Sequence, residues 1–225
     1  MAAHRETNTS SRAIRLPALA LVGLSLSLAS GCGSSDDGVP ASESAGRYPA
    51  EIVSQSFPAK QRLSQTNDLE LAVRNTGRKA IPNLTVTINT VPADAEGEVG
   101  VADGAFSIRS TQEGVSIPTR PVWVLEAGWP RLDGSSKPAG AEQAQTNTYA
   151  FGELQPGQTA TMAWRLTSVR SGPYDVSWKV EAGVGGAARA VAPEGGTPEG
   201  ETTVLIDPRP LRQRVTPDGR VVPVR

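Results

Sequence analysis

The sequence predicts an all-β protein, and two observations carry that prediction. Over residues 160–167 and again over residues 174–181, apolar and polar side chains alternate one by one, which is the period of a strand with one buried face. Ser-Gly-Pro at 171–173 lies between them and predicts a turn, so we expect an antiparallel hairpin. Such a pair is stable only when another sheet covers its apolar face. No segment shows a helical period, and the fold is expected to be a sandwich of two sheets.

A second stretch repeats this pattern earlier in the chain. Apolar residues alternate over 69–73, Asn-Thr-Gly follows at 75–77, and alternation resumes over 84–88. Asparagine and glycine favour the backbone angles of turns, so this stretch also predicts a hairpin. The preceding residues, 48–57, predict a first strand at a sheet edge.

The remaining segments are less regular. Residues 92–146 are too long for a structureless connection inside a compact domain, and two or three short strands are expected there. Residues 187–191 predict a weak strand and 202–206 the last strand. The end of the chain, 208–225, is rich in arginine and proline. It is expected either to form a small hairpin around Pro217, Asp218 and Gly219 or to be disordered.

The amino terminus has the composition of an export signal. Basic residues precede an apolar run over residues 16–28 that is followed by Ala29, Ser30, Gly31 and Cys32. The run is shorter than the roughly 20 residues that span a bilayer. A lone cysteine after small residues resembles the lipobox of bacterial lipoproteins, in which that cysteine is lipidated, although Ala29 stands where that motif usually has leucine. The alternative is an ordinary secretory signal with Cys32 as a free thiol.

These segments predict a domain order and a location. The expected organisation is a lipoprotein signal peptide at 1–32, a flexible tether at 33–47, a β-sandwich at 48–207 with an insertion at 92–146, and a tail at 208–225. We expect export and lipid anchoring at the outer face of a bacterial cell membrane through Cys32, with secretion as the alternative.

Charge is distributed unevenly along the chain. Residues 33–206 carry 14 basic and 20 acidic residues, a net charge of −6, whereas residues 207–225 carry five arginines and two aspartates, a net charge of +3. An acidic body does not favour nucleic acid as a partner. Arg209, Arg212 and Arg214 offer contacts to anionic lipid or wall polymer, or they are simply solvated.

Two blocks of the sequence resemble a known family. Residues 68–88 lead from a strand to an Asn-x-Gly turn, and residues 151–183 contain a Leu-x-Pro-Gly turn before a long strand and a Gly-x-Tyr entry to the next. They resemble bacterial extracellular immunoglobulin-like domains of the CARDB and DUF11 type. The resemblance implies an immunoglobulin-like antiparallel β-sandwich with an inserted loop and strand region, serving as an exported binding or spacer module. It implies no shared catalytic residue.

The chemistry of most enzymes is missing from the predicted mature chain. His4 and Cys32 are the only histidine and the only cysteine, and His4 lies inside the predicted signal peptide. This excludes His-dependent triads, Cys-His nucleophile pairs and the usual zinc and copper sites. We therefore predict no catalytic residues, no cofactor and no enzyme activity; a pair of carboxylates cleaving a glycoside is the remaining enzymatic alternative.

Two groups of residues are candidates for binding. An acidic loop offers alternating oxygens for calcium or is simply solvated; its members are Asp94, Glu96, Glu98 and Asp103. Trp123 and Trp129 are candidates for contact with a sugar or a protein partner. Packing in the core is the favoured alternative for Trp123, while both readings stay open for Trp129 between Gly128 and Pro130.

The sequence therefore predicts a non-catalytic, membrane-anchored binding or structural module at the cell surface. One alternative is a carbohydrate or wall-polymer binding domain, with tryptophans exposed in line on one face. Another is an accessory subunit of an envelope complex, with an exposed apolar patch. The sequence does not choose the ligand, the partner or the oligomeric state.

Overall fold

The computed structural model describes residues 44–95, 102, 104–109, 119–133, 142–145, 147–210 and 212–224. The chain divides into two units, Met1–Val39 and Pro40–Arg225, and every described residue belongs to the second. The described residues contain strands and turns but no helix, and hence no helix of the length and apolarity needed to cross a membrane. The predicted signal peptide, Cys32 and most of the predicted tether lie outside the described residues.

The strands vary from two to eleven residues in length. In chain order they are β1 (Gly46–Ser56), β2 (Lys60–Arg62), β3 (Thr66–Asn75), β4 (Thr85–Pro92), β5 (Ser107–Arg109), β6 (Thr119–Pro121), β7 (Trp123–Leu125), β8 (Arg131–Leu132), β9 (Glu142–Gln145), β10 (Thr148–Ala150), β11 (Thr159–Ser168), β12 (Gly172–Glu181), β13 (Ala188–Val191), β14 (Glu199–Asp207), β15 (Gln213–Val215) and β16 (Val221–Pro223).

Two sheets form the sandwich. The first has the order β13-β1-β3-β11-β7, with β8 also pairing with β11, and the second has the order β2-β14-β12-β4-β10-β9. Strands β1, β3 and β11 thus share one sheet while β4, β12 and β14 share the other, which is how an immunoglobulin fold divides its A, B, E and C, F, G strands. The predicted fold class, an all-β immunoglobulin-like sandwich, is confirmed.

The two predicted hairpins are wrong. Strand β11 pairs with β3, β7 and β8, whereas β12 pairs with β4 and β14, so the turn between β11 and β12 crosses from one sheet to the other. Strands β3 and β4 are separated in the same way. Alternation shows which face of a strand is buried but not which strand lies beside it. Consecutive strands here cover each other's apolar faces instead of sharing a ladder.

Two further expectations need correction. The described part of the 92–146 region contains β5 to β9, five short strands rather than two or three. The first strand is not a simple edge strand: residues 46–49 pair with β13 in parallel and residues 50–56 pair with β3 in antiparallel orientation. The carboxyl-terminal hairpin is present, since β15 pairs with β16 around a turn at residues 216–220.

Aromatic side chains fill the space between the sheets. Trp164 of the first sheet is fully buried, and its ring lies edge-on at 5.8 Å from Tyr149 and 5.6 Å from Phe151. Trp178 of the second sheet is also buried. Each large apolar side chain removed from water stabilises the fold by about 1.5–3 kcal/mol, so burial of these rings between the sheets contributes substantially to the stability of the fold.

The buried Asn75 fixes the passage from β3 to the opposite sheet. Its Nδ2 donates to the carbonyl oxygens of Lys79 and Leu154, both at 2.9 Å, and its Oδ1 accepts from the amide of Gly77 at 2.9 Å. A side-chain amide that satisfies three backbone groups replaces the hydrogen bonds that a regular ladder would supply. The Asn-x-Gly turn predicted from sequence is therefore real, but it turns the chain between sheets.

Burial of Tyr149 predicts a pH-dependent stability. Desolvation raises the pKa of its phenol to about 12 from an ordinary value near 10. The unfolded chain releases this proton at lower pH than the folded chain, so the stabilisation is complete below pH 10 and is lost as pH rises from about 10 to about 12. We expect the free energy of unfolding to fall by about 2–3 kcal/mol across this window, at ~1.4 kcal/mol per pKa unit.

Urea unfolding of the wild type and of Tyr149→Phe at pH 9 and pH 11.5 measures this effect. Phenylalanine cannot ionise, so the variant should lose less stability than the wild type between the two pH values. An equal loss in both proteins would contradict the assignment of this pH dependence to Tyr149.

Candidate binding site

Trp123 lies in the core and offers no open ring to a ligand. It is 2% exposed, and its ring centre lies 5.5 Å from that of Phe57 and 5.7 Å from that of Tyr174. Its Nε1 donates to Oε1 of the buried Gln61 at 2.8 Å, and Nε2 of Gln61 donates to the carbonyl oxygen of Pro58 at 3.0 Å. The structure thus places Trp123 in the core position that the sequence favoured.

Trp129 is partly exposed, but its ring is already covered. The guanidinium carbons of Arg131 and Arg165 each lie 4.6 Å from the centre of the indole, a distance at which cation and ring attract each other. Arg165 also donates from Nε and Nη2 to the two carboxylate oxygens of Asp68, at 2.9 and 2.8 Å. This pairing raises the pKa of Arg165, which stays charged in any case.

A shallow depression of about 400 Å³ lies beside Trp129. Besides the indole and Arg131 it is lined by three carboxylates, those of Asp68, Glu70 and Asp133. A sugar stacks on an aromatic ring through an open face, and here guanidinium groups take that place. The contacts of Trp129 with Arg131 and Arg165 fix the loop between β7 and β8 onto the outer face of the first sheet.

The predicted calcium loop falls mostly outside the described residues. Glu96, Glu98 and Asp103 are not among them, and Asp94 is exposed at the end of β4. Within the described ranges, no three or more His, Cys, Asp or Glu residues come close enough together to hold a metal ion.

One opening in the described part of the chain is a cleft at one end of the second sheet. It has a volume of about 490 Å³ and is lined by Arg109, Arg120 and Arg170, and we call it the arginine cleft. Among the described lining residues, the other charged one is Asp94. The three arginines come from β5, β6 and the connection between β11 and β12. The described lining of the cleft therefore holds more basic than acidic side chains, whereas residues 33–206 as a whole carry a negative net charge.

The wall formed by Tyr174 is rigid. Its hydroxyl donates to the carbonyl oxygen of Ser171 at 2.9 Å, and the ring packs against Trp123, which links the cleft to the core. Burial raises the pKa of Tyr174, while the charge of Arg170 and its hydrogen bond to the phenol act in the opposite direction. The phenol thus stays neutral at physiological pH and holds Arg170 at the cleft.

Gly172 is required where the chain enters β12. Its φ is +136°, and a Cβ at this position would lie 3.1 Å from the Tyr174 hydroxyl. A side chain is disfavoured there by the backbone conformation and by the contact. The Gly-x-Tyr pattern seen in the sequence therefore shapes one wall of the arginine cleft.

No pattern in the sequence indicated the arginines of this cleft. Arg109, Arg120 and Arg170 are spread over more than 60 residues and belong to no motif. Their proximity depends on the β5–β6 hairpin lying beside the β11–β12 connection, and neither the hairpin nor the crossing was predicted.

No protein-family model matches the chain, and no curated protein sequence matches it significantly. Three similar solved structures have TM-scores below 0.4. The CARDB domain of a Pyrococcus furiosus protein in complex with di-metal ions is 11% identical to this chain, with a TM-score of 0.38, and the match covers 74% of this chain and 97% of that one. Native Escherichia coli alpha-2-macroglobulin is 14% identical, with a TM-score of 0.37, and the match covers 76% of this chain and 8% of that one. A PapD-like domain of human CEP192 is 13% identical, with a TM-score of 0.35, and the match covers 71% of this chain and 86% of that one.

The chain spans only 8% of the length of the macroglobulin. The class of protein, an immunoglobulin-like β-sandwich, follows from the strand order described above.

Proposed function

We propose that this protein is an exported, non-catalytic module, anchored through lipidated Cys32 to the outer face of a bacterial membrane, that binds an anionic ligand in the arginine cleft. The observation that carries the proposal is the convergence of Arg109, Arg120 and Arg170 on one cleft of the described chain. Guanidinium groups match carboxylates and phosphates in charge and in hydrogen-bonding geometry. Carboxylate or phosphate groups of an envelope polymer are the ligand chemistry we favour.

The lining of the cleft supports binding better than catalysis. Its polar side chains are guanidinium groups, the hydroxyls of Ser171 and Tyr174, and the carboxylate of Asp94. A carboxylate hydrolase needs two acids facing each other across the substrate, and the described lining holds one acid beside three arginines. Among the described residues, no imidazole or thiolate lies beside the hydroxyls to activate them.

Sugar binding at Trp129 is the weaker alternative. The ring is stacked against guanidinium groups, and a neutral sugar would have to displace Arg131 or Arg165. Arg165 is held by its two hydrogen bonds to Asp68.

Titration calorimetry with polyphosphate, polygalacturonate and neutral dextran tests the ligand class. We expect both polyanions to bind, the neutral polymer not to bind, and Arg170→Gln or Arg120→Gln to weaken binding tenfold or more, because each variant removes a charged double donor. Arg189→Gln, an exposed arginine on β13, is the matched control and should change the affinity less than twofold. Equal affinities in all variants, or no binding of either polyanion, would reject the arginine cleft as the site.

The anchor is tested in the cells that make the protein. We expect the wild type in the membrane fraction with an acylated amino-terminal peptide, and Cys32→Ser in the soluble exported fraction. A lipid chain supplies about 0.8 kcal/mol of membrane affinity for each buried CH₂ group, so its loss should release the domain. A wild-type protein without acyl groups would contradict the proposed lipid anchor. Binding of an anionic ligand in the arginine cleft would still be decided by the calorimetry.

A further inference from the structure

Strand β1 changes partners halfway along its length. Residues 46–49 pair with β13, and residues 50–56 pair only with β3 on the opposite side. Among the described residues, no strand lies along the outer edge of residues 50–56. At about 3.3 Å per residue this open edge is ~23 Å long, which is enough for an incoming strand of seven residues.

A groove follows this open edge. It has a volume of about 440 Å³ and runs between residues 51–55 of β1 and the connection from β13 to β14, lined on that side by Pro193, Glu194, Pro198 and Glu199. Val53 lies where the register with β3 shifts, and its side chain is 45% exposed. The groove thus combines an exposed backbone edge, an apolar side chain and two prolines.

Carboxylates are the charged groups among the described residues that line the groove. They belong to Glu51, Glu194 and Glu199, and no basic residue is among the described lining residues. Charged side chains and bulges at an open edge discourage indiscriminate strand addition. The same carboxylates favour an extended segment that carries positive charge.

The floor of the groove is close to an unpaired buried donor. Nε1 of Trp178 has no hydrogen-bond partner although the residue is only 3% exposed. A Cβ on Gly200 would lie 2.7 Å from this nitrogen and 2.6 Å from Oε1 of Gln55, which also lines the groove. A side chain at Gly200 would therefore displace Gln55 or Trp178.

The chain itself contains a segment with the matching charge. Residues 208–224 hold four arginines and one aspartate, and the side chains of Arg209, Arg212 and Arg214 are exposed. Pro208 and Pro210 disfavour helix and favour an extended backbone at the start of this segment.

We propose that the groove along residues 50–56 of β1 binds the basic carboxyl-terminal segment, residues 208–224, of a second copy of this chain. The segment keeps its β15–β16 hairpin and adds β15 through its outer edge to the open edge of β1, and its arginines pair with Glu51, Glu194 and Glu199. Main-chain hydrogen bonds provide the affinity, and the carboxylates select the charge of the incoming strand. This interaction is independent of the arginine cleft and of the lipid anchor.

Sedimentation velocity of the full mature chain carrying Cys32→Ser tests the proposal over a range of concentrations. We expect a reversible dimer that weakens tenfold or more in the triple variant Glu51→Gln, Glu194→Gln, Glu199→Gln. A second variant, Arg209→Ser, Arg212→Ser, Arg214→Ser, should lose association to the same extent. Glu153→Gln, at an exposed position in the connection between β10 and β11 and outside the lining of the groove, is the control and should dimerise like the wild type.

A mixture of the two triple variants separates this proposal from a general charge effect. The arginine-to-serine variant keeps an intact groove, and the glutamate-to-glutamine variant keeps an intact carboxyl-terminal segment. The mixture should therefore form a heterodimer although each variant alone is monomeric. Hydrogen exchange in that heterodimer should slow at residues 50–56 of the copy that has the intact groove. A wild type that stays monomeric at all concentrations, or a mixture that stays monomeric, would overturn the proposal.

Discussion

Replacing Trp164 with alanine is expected to lower the free energy of unfolding by about 3–5 kcal/mol, the range found when a large aromatic side chain is removed from a core. Trp164 is fully buried at the centre of β11 and contacts Tyr149 and Phe151 across the sandwich. The substitution would leave a cavity between the two sheets, and neither sheet can move to fill this cavity without breaking hydrogen bonds between its strands. Equilibrium unfolding in urea, with the slope compared to that of the wild type, measures the loss.

Trp164→Phe is the matched control. Nε1 of Trp164 has no hydrogen-bond partner, so phenylalanine removes ring volume but breaks no hydrogen bond. We expect this variant to lose less than half as much stability as the alanine variant. An equal loss in both would mean that volume at this position does not set the stability.

Replacing Trp123 with alanine is expected to have an effect of similar or greater size. Loss of packing again lowers the free energy of unfolding by about 3–5 kcal/mol. Oε1 of Gln61 also loses its hydrogen-bond donor while it stays buried, which lowers the free energy of unfolding by about 1–3 kcal/mol more. Trp123 also supports Tyr174, so polyanion binding in the arginine cleft should weaken even under conditions where the variant is folded. Urea unfolding and calorimetry on the same samples measure both effects.

The two phenylalanine variants differ in one respect that can be tested. Trp123→Phe removes the donor to Gln61, whereas Trp164→Phe removes an unpaired group, so Trp123→Phe should be the more destabilising of the two. The opposite order would show that the hydrogen bond to Gln61 contributes little.

Local structure was predictable from the sequence because alternation and turn residues act over short distances. The strands around Trp164 and Trp178, the turn at Asn75 and the last long strand all lie where the side-chain pattern indicates. Pairing was not predictable, because a strand that alternates in polarity fits equally well beside its neighbour in sequence or across the sandwich from it. That ambiguity produced both incorrect hairpins.

The candidate site was less predictable than the fold. Tryptophans are easily noticed in a sequence as candidate binding residues. Trp123, however, lies in the core with a hydrogen bond to Gln61, and the ring of the partly exposed Trp129 is in contact with the guanidinium groups of Arg131 and Arg165. The arginine cleft depends instead on ordinary residues that the β5–β6 hairpin and the β11–β12 connection bring together. The pattern of residues within one segment cannot predict that side chains from distant segments lie close together.

The two parallel strand pairs affect the order in which the chain folds. Gly46 pairs with Ala188, and Lys60 pairs with Leu205, so each pair joins residues more than 140 positions apart. Long-range pairings form slowly because the loop between the partners must be ordered first. During synthesis, residues 46–49 of β1 and all of β2 emerge early but wait for β13 and β14, whereas residues 50–56 of β1 can pair with the nearby β3. A holding chaperone would protect the waiting strands from aggregation.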